Sequence, residues 1–307
     1  MQERELICKD GHSLFFRTWI PETAPVAVLH LLHGMAEHSL RYNEFALYLN
    51  SLGFVVYAQD HRGHGYTKEE DEKGWFAEQE GWEQIASDSW ELDQKILSEY
   101  RDLPLLLMGH SMGSFLARTM IVKHPDAYAA CVICGSGSSQ GIAGTVGKMI
   151  ASKHAKKYGS RMPDKKMDKL CFGSFNKKVQ DPKTPFDWLS KDEAEVQKYI
   201  DDPLCGFLCS SSFFVDLITG VEFANSKENA NKVSKNLPLL IISGDKDPVG
   251  GYGAGIKKIY ALYTKAGVKD VTLKLVKDGR HELLNETDKY DTMNYIGSWL
   301  VSKIGGK

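Results

Sequence analysis

Residues 105–113 read Leu105-Leu106-Leu107-Met108-Gly109-His110-Ser111-Met112-Gly113. Four apolar residues run straight into a G-x-S-x-G turn, and Ser114 to His124 follows with helical character. A strand that passes directly into a helix must reverse within a few residues. Its central residue is then held in a strained backbone conformation, and a glycine two places to either side leaves room for the neighbouring strand and helix. The serine hydroxyl is presented at a helix N-terminus, where the dipole favours developing negative charge. Ser111 is therefore the candidate nucleophile. The five-residue string is weak alone and specific between an apolar strand and a helix. His110 is adjacent, but neighbouring side chains diverge on such a turn, so it reads as a packed neighbour. Met112 matters through its backbone N–H, which follows the nucleophile and can donate to an oxyanion.

Outward from this turn, strand-like and helical stretches alternate. Leu14 to Trp19 reads as an early antiparallel strand. Val26 to Leu32, Phe54 to Ala58, Ala130 to Cys134, Leu237 to Ser243 and Val271 to Val276 read as further strands. Between them lie helical patterns at Arg41 to Leu52, Trp82 to Tyr100, Ile256 to Ala266 and Tyr290 to Ile304. Such alternation implies right-handed crossovers and a mostly parallel, twisted sheet with helices on both faces, an α/β fold. Ligands of such sheets sit at the carboxyl ends of the strands. The pattern breaks after Gly135. Residues 136–236 are Lys-rich and helical, with no clear strand, and Ile142, Val146, Met149 and Ile150 mark one helical face. The expected organisation is a core of residues 1–135 and 237–307 with a helical cap inserted at 136–236.

The second oxyanion donor must come from a loop after an early strand. Val28 to Leu32 ends in His33-Gly34-Met35, and the Met35 N–H is the candidate. Histidines 33, 38, 61 and 64 cluster here, but no carboxylates accompany them at metal-ligand spacing on a shared helix. Asp60-His61-Arg62-Gly63-His64-Gly65 reads instead as a hydrogen-bonded loop after a strand.

A late strand ends at Gly244-Asp245-Lys246-Asp247-Pro248. Pro248 restrains the residue before it, which suits a pre-organised acid and favours Asp247, with Asp245 as the competing turn residue. The last strand leads to Gly279-Arg280-His281-Glu282, and His281 follows both other candidates in the chain. The order Ser111, Asp247, His281, each after a strand, is that of a catalytic triad. In that arrangement the base takes the serine proton and the acid orients the base, and neither a metal nor an organic cofactor is required.

The 307 residues are 42% hydrophobic and 25% charged, ordinary for a globular protein. A formal net charge of −2 and a pI near 6.6 argue against nucleic acid as a partner. The N-terminal residues lack the apolar region of a secretory signal, and no apolar run approaches the roughly 18 residues of a membrane span. Six cysteines then read as reduced thiols in a cytoplasmic protein. Cys131 and Cys134 spell C-x-x-C, but on a strand residues three apart point to opposite faces, against a redox or zinc pair. Cys205 and Cys209, four apart, are expected on one helix face as core thiols.

Taken together, five segments resemble the monoacylglycerol lipase and lysophospholipase branch of the α/β hydrolases. They are His33-Gly34-Met35-Ala36-Glu37-His38 with Arg41-Tyr42, Asp60 to Gly65, Gly109 to Gly113, Gly244 to Pro248, and Gly279 to Glu282. The resemblance implies an α/β-hydrolase fold and a serine hydrolase with Ser111, Asp247 and His281 as triad. It also implies Met35 and Met112 amides as oxyanion hole, and a cap over the site. In the pattern of that branch the acid is the fourth residue of the G-x-x-D turn, which again selects Asp247. The implied substrate is a small-molecule lipophilic ester such as a monoacylglycerol or lysophospholipid, and the apolar face at Ile142 to Ile150, beside lysines, is expected either to line an acyl channel or to make transient contact with a membrane surface. The same scaffold also hosts aminopeptidases and thioesterases, and at one remove non-hydrolytic ligand receptors. An acidic pocket for a free amine would mark the peptidase, and Glu193 and Glu195 are the cap carboxylates to test against it.

Overall fold

The computed structural model describes residues 1–67 and 72–304. Residues 68–71, and 305–307 at the end of the expected core range, lie outside the described residues. The strands are β1 (Gln2–Ile7), β2 (Ser13–Trp19), β3 (Ala27–Leu32), β4 (Phe54–Gln59), β5 (Leu105–His110), β6 (Ala130–Cys134), β7 (Leu239–Gly244) and β8 (Val271–Val276). The helices are α1 (Asn43–Ser51), α2 (Gly81–Glu99), α3 (Met112–Lys123), α4 (Ile142–Tyr158), α5 (Lys165–Phe172), α6 (Glu193–Asp201), α7 (Ser211–Ala224), α8 (Lys227–Ala230), α9 (Ala254–Lys265) and α10 (Lys289–Ile304).

Among the described residues the strands form one eight-stranded sheet in the order β1-β2-β4-β3-β5-β6-β7-β8. β1 and β2 are antiparallel to their neighbours, and the rest are parallel. β1 carries no sequence signal as a strand. Its Gln2-Glu3-Arg4-Glu5 stretch is polar because the strand is an exposed edge, where charge discourages further pairing. The central strands are buried on both faces, which is why they read as apolar runs rather than alternating ones.

Alternate residues of each strand feed two separate cores. Val28, Val55, Leu105, Leu107, Ile133 and Ile241 pack with α2, α3 and α9 on one face. Leu29, Val56, Leu106, Met108, Val132 and Ile242 pack with α1 and α10 on the other. Cys131 belongs to the first core and Cys134 to the second, so the C-x-x-C pair does face opposite ways. The side-chain period of two along a strand dictates this division.

Between β6 and β7 the chain passes through α4 to α8 and, among the described residues, pairs only in an isolated bridge of Pro163 with Ser210. The segment is not a separate body. Phe213 and Phe214 of α7 join the core that α2 and α3 build, and α4 packs on α7. Gly147 and Ala151 form the buried face of α4, while Ile142, Val146 and Met149 lie on its outer side. Cys205 and Cys209 are buried as expected, but they lie in the loop between α6 and α7 rather than on a helix. Pro203 and Gly206, the latter at φ +63°, prevent a helix there.

Register aligns the strand ends. Leu32 lies beside Gly109, His110 beside Cys134, and Gly244 beside Val276. The loops after β3, β5, β6, β7 and β8 therefore emerge along one rim.

Candidate active site

Ser111 occupies the junction of β5 and α3 at φ 52°, ψ −119°, a conformation that a residue with a side chain rarely adopts. The flanking glycines allow it. A Cβ on Gly109 would lie 2.0 Å from the Gly113 carbonyl oxygen, and one on Gly113 would lie 2.1 Å from that of Leu32. Either side chain would push α3 off the sheet. The Ser111 amide donates to the Cys134 carbonyl at 3.0 Å, tying the turn to the end of β6. Met112 is the first residue of α3, and its side chain is buried.

His281, in the loop after β8, is buried, and its Nδ1 lies 3.0 Å from Asp247 Oδ1. Asp247 is fully buried and held by two donors. The Ser243 hydroxyl bonds Oδ2 at 3.0 Å, and the Val249 amide bonds Oδ1 at 2.9 Å. Asp245 faces away, accepting the Asp278 amide at 2.9 Å and pairing with Lys246. A Cβ at Gly135 would sit 3.2 Å from His281 Cε1. Since Gly135 follows the residue that Ser111 bonds, the imidazole stands beside the elbow. Three segments far apart in the chain thus meet at one rim of the sheet.

The loop after β3 passes the same point. The position of a Cβ on Gly34 lies 3.1 Å from Ser111 Cβ, so Met35 enters the loop against Ser111. The Gly34 amide donates to Glu37 Oε1 at 2.5 Å. Tyr42 also donates to that oxygen, at 2.8 Å, and Arg41 bonds Oε2 at 2.6 Å. Arg41 further makes a two-pronged pair with Glu282 at 2.7 and 2.6 Å. Burial pushes the Glu37 carboxyl up, but the Arg41 guanidinium and the hydrogen bond from His110 outweigh it and hold it well below the usual carboxylate range. Burial likewise opposes ionisation of Glu282, and Arg41 overcomes it. His110 is disfavoured as a cation by burial, yet the Glu37 carboxylate raises its pKa above the ordinary histidine value.

The histidines at 33, 61 and 64 form the expected hydrogen-bonded loop. The His61 amide donates to His33 Nε2 at 3.0 Å, His61 Nε2 bonds the His33 carbonyl at 3.1 Å, and His64 Nδ1 bonds the Arg62 carbonyl at 2.9 Å. Burial lowers all three, His33 to about 3 and His64 to about 4. His38 joins Asp202 at 2.8 Å, and Cys205 Sγ lies within 4.8 Å of both. The other ring nitrogen of His38 is buried without the acceptor that a metal-bound histidine ordinarily has.

Glu37, Arg41, Tyr42 and Glu282 stood inside the segments that carried the resemblance, but nothing in their spacing revealed the network. Trp188 gave no signal either. Its ring lies 5.0 Å from that of His281, centroid to centroid, and its carbonyl accepts the His281 amide at 3.4 Å. Glu193 pairs with Lys183 at the surface, and Glu195 pairs with Lys198 and Lys289.

An eight-stranded, mostly parallel sheet with a strained serine after β5 and a His–Asp pair on the loops after β7 and β8 defines an α/β hydrolase of the serine type. Residues 23–288 match the model of the family described as serine aminopeptidase, S33, and the chain belongs to that family. It is 28% identical to the monoglyceride lipase of Homo sapiens over 310 residues, covering 97% of this chain and 90% of that one. It is 26% identical to the monoacylglycerol lipase of Mycolicibacterium smegmatis, covering 96% and 95%. Among solved structures, a thermostable carboxyl esterase from Bacillus coagulans superposes with a TM-score of 0.91 at 29% identity, over 99% of this chain and 98% of that one.

Proposed function

We propose that the protein hydrolyses monoacylglycerols and similar lipophilic carboxylic esters through an acyl-enzyme on Ser111. The observation that carries this reading is the buried Asp247–His281 pair standing beside a serine at φ 52°. His281 takes the Ser111 proton, and the serine oxygen attacks the ester carbonyl carbon. The carbonyl electron pair becomes an oxyanion that the Met35 and Met112 amides receive. Collapse expels the leaving alcohol, which takes the proton from His281. Water then attacks the acyl-enzyme, giving its proton to His281, and the carboxylic acid leaves as Ser111 regains a proton. Asp247 orients the imidazole and stabilises its charged form throughout. These steps use no metal and no cofactor.

Residues 136–236 act in this proposal as the cap, and α4 is its membrane-facing element. Ile142 is 85% exposed, Val146 42% and Met149 50%, and Lys148, Lys156 and Lys157 share the helix. An apolar strip flanked by lysines suits brief contact with a lipid surface, where long-chain monoacylglycerols reside. Among the described residues no helix is long and apolar enough to cross a membrane. The six cysteines are free, which supports a reducing, cytoplasmic setting.

The family description includes peptidases, but Glu193 and Glu195 are committed to surface lysines and do not form an amine pocket. A substrate series tests the reading. Rates per active site should rise from acetyl to long-chain glycerol monoesters and stay negligible on aminoacyl amides. Equal rates for acetyl and long-chain esters would overturn the lipid assignment. Absence of fluorophosphonate labelling at Ser111 would overturn the acyl-enzyme.

A further inference from the structure

The loop that supplies Met35 is held from within at Gly34, by Glu37 and His33, but not at Ala36. Ala36, the next residue, sits at φ 52°, a left-handed conformation that is unfavourable for a residue with a side chain. Something outside the loop must sustain it. The Ala36 carbonyl accepts two hydrogen bonds, both from residues inserted between β6 and β7. The Tyr199 hydroxyl of α6 donates at 3.1 Å, and the Gly206 amide donates at 3.0 Å. Tyr199 is itself fixed, with its ring 4.8 Å from the Arg41 guanidinium carbon and 5.2 Å from the Phe186 ring.

Met35 therefore lies between two anchors. On its N-terminal side the Gly34 amide is held by Glu37, and on its C-terminal side the Ala36 carbonyl is held by Tyr199 and Gly206. The Met35 N–H belongs to the Gly34–Met35 peptide, whose carbonyl His33 Nδ1 bonds at 2.7 Å, and the anchored Ala36 carbonyl, two peptides further on, holds the course of the chain that leaves it. We propose that Tyr199 is a positioning residue for the oxyanion hole, so that the inserted segment completes the reaction centre as well as covering it. Tyr199 touches no reacting atom. It acts through the Ala36 carbonyl, and the inference rests on the reading of Met35 as an oxyanion donor.

This assignment separates two parts of the insertion. The stretch from Trp188 to Gly206 is bonded to both reactive loops. The Glu282 amide donates to the Leu189 carbonyl at 2.7 Å, Arg280 bonds the carbonyls of Asp187 and Ser190, and His38 pairs with Asp202. These bonds tie the stretch to the loop after β3 and to the loop after β8.

The test is Y199F, which removes one hydroxyl and keeps the ring. Four quantities are measured in the whole enzyme with active sites counted by fluorophosphonate titration, so that kcat refers to folded protein only. They are kcat and KM on 4-nitrophenyl butyrate, the inhibition constant of an alkyl trifluoromethyl ketone, which forms a charged tetrahedral adduct, and that of the matching secondary alcohol, which does not. The expected result is a kcat lowered about tenfold, a part of the roughly 10²–10³-fold that loss of a whole donor costs, with KM within twofold. Ketone binding should weaken by the same factor as kcat, and alcohol binding should not change. A kcat per site equal to wild type would overturn the role of Tyr199, whatever happens to thermal stability. If wild type itself binds ketone and alcohol equally, the oxyanion reading fails instead, and the two failures are distinct.

Discussion

His110 Nε2 lies 3.2 Å from the backbone carbonyl of His281, so the residue before Ser111 grips the chain at His281. A carbonyl only accepts, and Nε2 must therefore carry a proton. On its other side His110 Nδ1 lies 2.9 Å from the Tyr42 oxygen and 3.4 Å from Glu37 Oε1. Tyr42 gives its one proton to Glu37, which leaves Nδ1 to donate as well. A doubly protonated His110 fits its raised proton affinity beside the Glu37 carboxylate. One buried network thus spans the loop after β3, the turn at Ser111 and the loop that carries His281.

The roles assigned to the triad are tested by S111A and D247N. S111A should lose fluorophosphonate labelling and about 10³-fold or more of esterase activity with an unchanged unfolding midpoint. D247N should lower kcat by about 10³–10⁴-fold, because the amide reverses the hydrogen bond that selects the imidazole tautomer. D245N should stay within twofold of wild type, since Asp245 faces Asp278 and Lys246. A D245N enzyme as impaired as D247N would reverse the choice of acid.

Removing the centre of the network has a cost in stability. E37Q deletes a buried charge and leaves Arg41 with Glu282 alone, so unfolding free energy should fall by about 3 kcal/mol, read from urea denaturation. The same substitution loosens the Gly34 anchor, so kcat should fall at temperatures where the variant is fully folded. In E37Q the His110 proton affinity should drop, visible in NMR as a titration midpoint moved to lower pH.

Acid should weaken the fold through the histidine loop. His33, His61 and His64 bind protons far less readily folded than unfolded, where the midpoint is about 6.5. Above that midpoint neither state is charged and stability is unaffected. As pH falls below it the unfolded chain takes up protons that the folded one refuses, so stability declines until the folded midpoints, about 3 for His33 and about 4 for His64, are reached. Each histidine contributes up to about 1.4 kcal/mol per pH unit within that window. H64Q keeps a polar side chain and cannot titrate. Its unfolding midpoint should depend on pH between about 4.5 and 6 with one proton fewer than wild type.

The outer face of α4 predicts a split between substrates. Ile142, Val146 and Met149 replaced together by serine should leave the rate on soluble 4-nitrophenyl butyrate unchanged. Hydrolysis of a long-chain monoacylglycerol in vesicles should slow by about five- to tenfold, as an apolar surface patch is lost. Stability should change by less than about 1 kcal/mol, because these side chains lie on the exposed side. Equal slowing on both substrates would place the face inside the acyl pocket instead.

The order of strands and helices was written in the chain because apolar runs of four to six residues and helical stripes recur with clear punctuation. Ser111, Asp247 and His281 could be picked out because each follows such a run, and a strand end is a place that sequence can mark. The edge strand Gln2–Ile7 was illegible, since a strand paired on one side and wet on the other needs no apolar signal. The inserted segment was legible as helices, but not as to which helices join the core. Only the folded chain decided that Ala36 is held by Tyr199 and Gly206, and that Arg41 joins Glu37 to Glu282. These contacts join residues up to about 240 positions apart. Local periodicity reports which face of an element is buried, whereas the partner of a buried charge is set by where distant loops converge.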